Sequence, residues 1–279
     1  MYDVTFCFIV NKNLAKESIW REWFDRLSQL GLKIRVVTHF SGACTAISPW
    51  LSETIIPAAY LQPTAEGFLA QAMLSLLTYA DAVHAVPDAV PDAVPDAVPD
   101  AAWYCVLSDS CVPYISAEKF IENFQLYKDK TFLNYAKPWW IPRPHTKDRA
   151  NLHCLPAELH LSHPMWCILC QEDLSSILTV AQQEPALLKL VFNGVLAQES
   201  WLAIFLKLGN NFKNVIKQMT TFDDWRRSPN GSNPYTFTTW SAADKKAVGQ
   251  GQYMYHKYMF LRKVDSSFPE AVLREFIKP

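Results

Sequence analysis

The stretch Val4-Thr5-Phe6-Cys7-Phe8-Ile9-Val10 decides the fold. Seven residues with no charge read as a strand buried on both faces, because a strand with one wet face alternates apolar and polar residues. Just downstream, Leu14, Ile19, Trp20, Trp23, Phe24, Leu27 and Leu30 recur at helical spacing. This spacing predicts a helix over 14–30, stopped at Gly31. Residues 33–38 (Lys-Ile-Arg-Val-Val-Thr) read as the next strand. A strand, a helix and a strand joined by short connections make a βαβ unit, so an α/β fold with a mostly parallel sheet is expected.

Farther along, the pattern predicts a helix over 67–80 and a buried strand over 103–107. Between them, over 85–100, Ala-Val-Pro-Asp repeats four times. Proline at every fourth position excludes helix interior and sheet, so this segment reads as an extended, solvated surface loop. In the second half, strands are expected at 165–170, 214–217 and 258–264, and helices at 172–180, 197–206 and 270–277. Residues 137–156, rich in Pro, Trp and His, read as a long irregular loop of the kind that shapes binding sites.

The chain has 279 residues, 50% hydrophobic and 19% charged, with a formal net charge of −1. That suits a globular protein and argues against nucleic acid, which selects for a clear Lys/Arg excess. The 10 Trp, 11 Tyr and 16 Phe fit either an aromatic core or a carbohydrate groove lined by flat rings. Seven cysteines, several inside apolar runs, read as free reduced thiols. No basic segment precedes an apolar one at the N-terminus and no run reaches transmembrane length, so a soluble, cytoplasmic protein without a membrane anchor is expected.

Common sites are missing from the sequence. It holds no phosphate loop of the Gly-x-x-x-x-Gly-Lys type and no Gly-x-Ser-x-Gly elbow. His153, Cys154, His160, His163, Cys167 and Cys170 fall close together, but the Cys167–Cys170 pair lies in a strand-like run where residues three apart point to opposite faces. Structural zinc needs converging ligands, so no metal site is expected there. No Asp-x-Asp occurs either, the motif with which many nucleotide-sugar enzymes hold a divalent cation on the donor diphosphate. A departing diphosphate would then need Lys or Arg, and Arg262-Lys263 could supply that charge or could be a solvated basic strand end. Glu199, at the mouth of a very apolar helical run, is either a partner of the helix dipole or a base.

Read in order, Val106-Leu107-Ser108-Asp109-Ser110-Cys111-Val112-Pro113, His163-Pro164-Met165-Trp166, Gln198-Glu199-Ser200-Trp201, Asp224-Trp225 before Asn233-Pro234-Tyr235-Thr236-Phe237, and Phe260-Leu261-Arg262-Lys263 form a series. This series resembles the core-2/I-branching N-acetylglucosaminyltransferase and peptide O-xylosyltransferase family, including its plant relatives. The likeness runs from about residue 103 to 264.

The resemblance implies a GT-A-type nucleotide-sugar fold and one catalytic domain over 1–279. Residues 1–136 would form the nucleotide-sugar-binding half, and 137–279 the acceptor and catalytic half. It implies an inverting glycosyltransferase that needs no metal or other cofactor. The partners would be a UDP-sugar donor, with xylose favoured over N-acetylglucosamine, and a glycan or glycoprotein acceptor. The family's base falls on Glu199 and its diphosphate lysine on Lys263, beside Arg262. Asn11 and His39 fall where the family holds uridine, and Ser108, Asp109 and Cys111 fall beside the donor sugar. Trp166 and Trp225 are candidates for stacking the acceptor. Two departures stand out. Animal members carry Asp at the position of Cys111, and a second diphosphate arginine aligns with Tyr235, leaving Arg262, Lys245 or Arg226 to compensate. The family's Golgi members carry a signal anchor that is not visible here, which suits a soluble microbial or viral member. Two rival readings are a carbohydrate-binding protein on a decayed transferase fold, and a metal-dependent transferase using Asp109 with Asp223 or Asp224.

Overall fold

The chain runs β1 (Val4–Val10), α1 (Glu17–Gln29), β2 (Ile34–Phe40), α2 (Pro49–Glu53), α3 (Ala70–Ala85), β3 (Trp103–Ser108), β4 (Val112–Pro113), α4 (Ala117–Tyr127), β5 (Thr131–Phe132), β6 (Ile168–Cys170), α5 (Gln171–Gln183), α6 (Pro185–Phe192), α7 (Trp201–Gly209), β7 (Val215–Ile216), β8 (Thr221–Asp223), α8 (Ala242–Tyr255), β9 (Phe260–Arg262) and α9 (Glu270–Ile277). This order is taken from a computed structural model that describes residues 2–42, 47–85, 102–140, 149–231, 233–255 and 258–279. The Ala-Val-Pro-Asp repeat lies outside the described residues, apart from Ala85 at the end of α3.

The result is an α/β protein with a six-stranded sheet in the order β2-β1-β3-β6-β5-β7 and a three-stranded sheet in the order β4-β9-β8. β1 is parallel to both β2 and β3, as the βαβ reading requires. The sheet as a whole is mixed rather than mostly parallel, because β6 runs antiparallel to β3 and to β5. β5 and the edge strand β7 pair over two residues each, too short to leave a periodic signal in the sequence.

Both faces of β1 are covered. Val4, Phe6, Phe8 and Val10 enter a core shared with α1, α4, α9 and the small sheet, whereas Cys7 and Ile9 enter a second core shared with α3, α5 and α7. The same alternation sends Cys167 and Cys170 into different cores, so their thiols cannot converge. Gly31, at φ 90°, ends α1, and Leu32 N–H bonds back to the Leu27 carbonyl at 3.1 Å. Leu14 is buried but precedes the helix, so α1 begins later than its apolar period suggests.

Most of the aromatic surplus is core. Phe6, Trp20, Trp23, Phe24, Phe120 and Phe260 pack ring against ring with centroids 4.8–6.3 Å apart. Their indole N–H groups are paired: Trp20 Nε1 donates to the Cys111 carbonyl and Trp23 Nε1 to the Ile115 carbonyl, each at 2.9 Å. Buried indoles need such partners. Here the bonds also tie α1 to the segment that follows β3. Among the described residues no helix is long and apolar enough to cross a membrane.

Trp20→Phe should therefore destabilise the protein by about 2–3 kcal/mol, by opening a cavity and leaving the Cys111 carbonyl without its donor. Urea denaturation measures this as a lower midpoint at unchanged m-value.

Candidate functional site

From the carboxyl end of β1 the chain goes to β2 on one side, and from that of β3 it goes on to β5 on the other, so the connections part between β1 and β3. Open α/β sheets bind ligands in the crevice at such a switch point. At this point stand exposed Asn11 and half-buried Asp109, with Asn11 N–H donating to Asp109 Oδ2 at 3.3 Å. Gly42 presses the end of β2 against this edge. A Cβ there would meet the Asn11 carbonyl oxygen at 1.9 Å, so only glycine fits.

The turn after β3 is pinned internally. Cys111 N–H donates to the Ser108 carbonyl at 3.1 Å, and Ser108 N–H donates to Cys111 Sγ at 3.4 Å. Cys111 is wholly buried, and burial raises its thiol pKa against the opposing pull of Arg262. His39 is also wholly buried: its Nε2 accepts Gln62 N–H at 2.8 Å, and burial lowers its pKa. Of the residues expected at the donor, Asn11 and Asp109 meet at the switch point, whereas Ser108, Cys111 and His39 are buried.

Glu199 ends a short 3₁₀ turn, Ala197–Glu199, that begins from a left-handed Leu196. The helix expected over 197–206 is thus split: the backbone turns at Ser200 and α7 starts at Trp201. Glu199 therefore precedes the helix, and its carboxylate bonds Arg149 Nη1 at 3.1 Å rather than the amides that open α7. The Glu199 carbonyl accepts the His163 amide at 2.7 Å. His163 Nδ1 donates to the Pro164 carbonyl at 2.9 Å and burial pushes its pKa down to about 4, so the ring is a neutral backing. About a third of the Glu199 side chain is exposed. Burial raises its pKa, Arg149 and Arg262 pull it down, and Asp223 pushes it up.

Arg262 joins these two regions. The β8–β9 register sets it opposite Asp223, with Nη1 4.0 Å from Asp223 Oδ2. Its guanidinium lies 4.9 Å from the Trp166 ring, and its charge acts on Cys111, Asp223 and Glu199. Asp223 is nearly buried, its pKa raised by that burial, and it accepts Trp225 Nε1–H at 3.0 Å. Trp225 itself is 49% exposed. Lys263 is half-buried, and its side chain has no ion-pair partner among the described residues. Its carbonyl accepts Phe237 N–H, and the next amide, Val264 N–H, donates to Ser110. The basic pair thus borders the turn after β3.

Three features were not foreseen. Arg149 pairs with Glu199 and lies over Trp140 and Trp139, at 4.5 and 5.9 Å from their ring centres. The signal was the Pro- and Trp-rich loop 137–156, although its residues 141–148 lie outside those described. Asp223, a metal ligand in one rival reading of the sequence, belongs to the charge network around Arg262. A cation does lie at Tyr235: Arg227, 4.0 Å above the ring, while Lys245 and Arg226 are exposed. Arg227 is held by Asp224 and Asp244 at 2.6 and 2.7 Å. Among the described residues no group of three His, Cys, Asp or Glu side chains is placed to hold a metal ion. No protein-family model matches this chain, and no curated protein matches its sequence.

The pairing of Glu199 with Arg149 depends on a close backbone contact. Arg149 bridges to Val195, and a Cβ on Gly194 would lie 2.5 Å from the Ala150 and Asn151 backbone. Gly194→Ala should push residues 149–151 away and cost about 1–3 kcal/mol. A lowered urea midpoint, together with loss of the Arg149–Glu199 contact in a crystal structure of the variant, checks this.

Proposed function

We propose that this protein is an inverting glycosyltransferase of the GT-A type, resembling the core-2/I-branching and peptide O-xylosyltransferase family. It moves a sugar from a UDP-sugar, xylose before N-acetylglucosamine, to a hydroxyl of a glycan acceptor. One observation supports the reading: Arg262, 4.0 Å from Asp223 and 4.9 Å from the Trp166 ring, stands on β9, which pairs with β4 just past the turn that follows β3, and its charge also lowers the pKa of Glu199.

In this mechanism Glu199 takes the proton from the acceptor hydroxyl as that oxygen bonds to the anomeric carbon. The bond from that carbon to the diphosphate oxygen breaks, and UDP leaves with the electron pair from the opposite face. General-base assistance of this sort is worth about 10²–10⁴-fold in rate. Lys263 meets the β-phosphate charge, and a well-aimed cation contributes roughly 3–4 kcal/mol to transition-state stabilisation. Arg262, held by Asp223 and Trp166, sets the field between base and leaving group. Asn11 and Asp109 border the nucleotide, and Trp166 and Trp225 offer ring faces to the acceptor.

The exposed rings of Trp139 and Trp225 also suit a protein that binds glycan without turning it over. Release of UDP from a UDP-sugar in the presence of acceptor separates the two, because a lectin binds glycan and leaves the donor intact.

Glu199→Gln should stay folded and remain stabilised by UDP, while kcat falls at least about 10²-fold at unchanged donor KM. Lys263→Ala should weaken UDP binding as well as slow transfer. Melting temperature, UDP affinity and steady-state kinetics on both variants test this, and near-wild-type turnover in Glu199→Gln would remove Glu199 as the base. Because burial raises the Glu199 pKa, the acidic limb of kcat/KM should lie above the ordinary carboxylate range.

Transfer should also survive EDTA. The ground is the missing Asp-x-Asp beside Arg262-Lys263. A complete loss of activity that Mg²⁺ or Mn²⁺ restores would show instead that a cation holds the diphosphate.

A further inference from the structure

We propose that Arg149 is a positioning residue for Glu199: its guanidinium, lying over Trp139 and Trp140 and carried on a backbone segment locked against Gly194, fixes where the carboxylate sits. The lock is made of several independent contacts. Ala150 N–H donates to the Val195 carbonyl at 2.9 Å, and Asn151 Nδ2 donates to the Leu190 carbonyl at 2.8 Å. Ala150 and Asn151 both adopt positive φ, 57° and 52°, which turns the chain sharply just after Arg149. Glu199 is anchored from the other side, with its amide bonded to Leu196 and its carbonyl to His163. Two rigid backbones thus present one guanidinium to one carboxylate.

The guanidinium has its own seat. Trp139 and Trp140 stand at 88° to each other, and Arg149 packs on both rings. A planar delocalised cation suits an aromatic face, whereas an ammonium is a compact, strongly hydrated point charge. The charged groups that act on Glu199 are Arg149, Asp223 from β8 and Arg262 from β9; His163, which packs against its backbone, is neutral. Arg149 alone among them makes a hydrogen bond to the carboxylate. Removing it takes away a nearby positive charge, so Glu199 should hold its proton to higher pH.

The kinetic part of this inference rests on the transferase reading, whereas the titration does not. Protein labelled with ¹³C at the glutamate carboxyl is titrated by NMR, and the Glu199 resonance is assigned by its loss in Glu199→Gln. Arg149→Met and the milder Arg149→Gln should both move the Glu199 titration to higher pH, and Arg149→Lys should bring it partly back. In turnover with UDP-xylose or UDP-N-acetylglucosamine, the uncharged variants should lose about 10–10²-fold in kcat at unchanged UDP affinity. The acidic limb should move upward in pH. A Glu199 titration unmoved in either uncharged variant that folds overturns the proposal. So does a shifted titration with kcat intact. If the wild-type protein releases no UDP from any donor, the transferase reading fails, and the titration still decides whether Arg149 governs Glu199.

Discussion

β1 has no wet face, and the rest of the molecule follows from that constraint. A strand apolar on both sides is stable only between two hydrophobic layers, so helices must cover it above and below. On one side stands the wall built from α1, α4 and the small sheet, with Trp20 and Trp23 at its centre. On the other, α3, α5 and α7 close the second layer. Only the two ends of the strand remain open to chemistry, and the carboxyl end is the one where the connections diverge.

The same packing aims the polar groups. Trp20 holds the Cys111 carbonyl and Phe260 packs on Trp20, so the turn after β3 and the strand bearing Arg262 are fixed by one aromatic cluster. Arg262 then stands beside Asp223 and its charge reaches Glu199, two carboxylates whose pKa values burial raises. In such surroundings a charge is felt more strongly than in water. Arg262 and Arg149 both oppose the effect of burial on Glu199, and Asp223 reinforces it. The protonation of that residue is set by three elements far apart in sequence.

Some of this was legible in the chain and some was not, for physical reasons. The bounds of β1 and α9 could be read because an unbroken apolar run or a clear amphipathic period marks them. The opposite facing of Cys167 and Cys170 follows from strand geometry. The antiparallel course of β6 could not be read, since direction is decided by the route of a long connection rather than by the three residues of the strand. Arg149 was hidden because its partner lies 50 residues away. Arg227 was hidden because its role depends on two aspartates brought together by folding, one of which, Asp244, also exchanges hydrogen bonds with Ser241 at the start of α8. The split between the 3₁₀ turn and α7 was missed because the polar residues at it, Gln198, Glu199 and Ser200, are equally at home in the first turn of a helix.

That split bears on how the molecule would tolerate work. A carboxylate that caps a helix loses its grip on the helix amides each time it is protonated. Glu199 stands outside α7 and grips a side chain instead, so a proton can arrive and depart without loosening the scaffold behind it. The fold thereby separates what must change from what must stay still. Substitutions at this carboxylate can alter chemistry while sparing stability, which leaves the position open to selection on function alone.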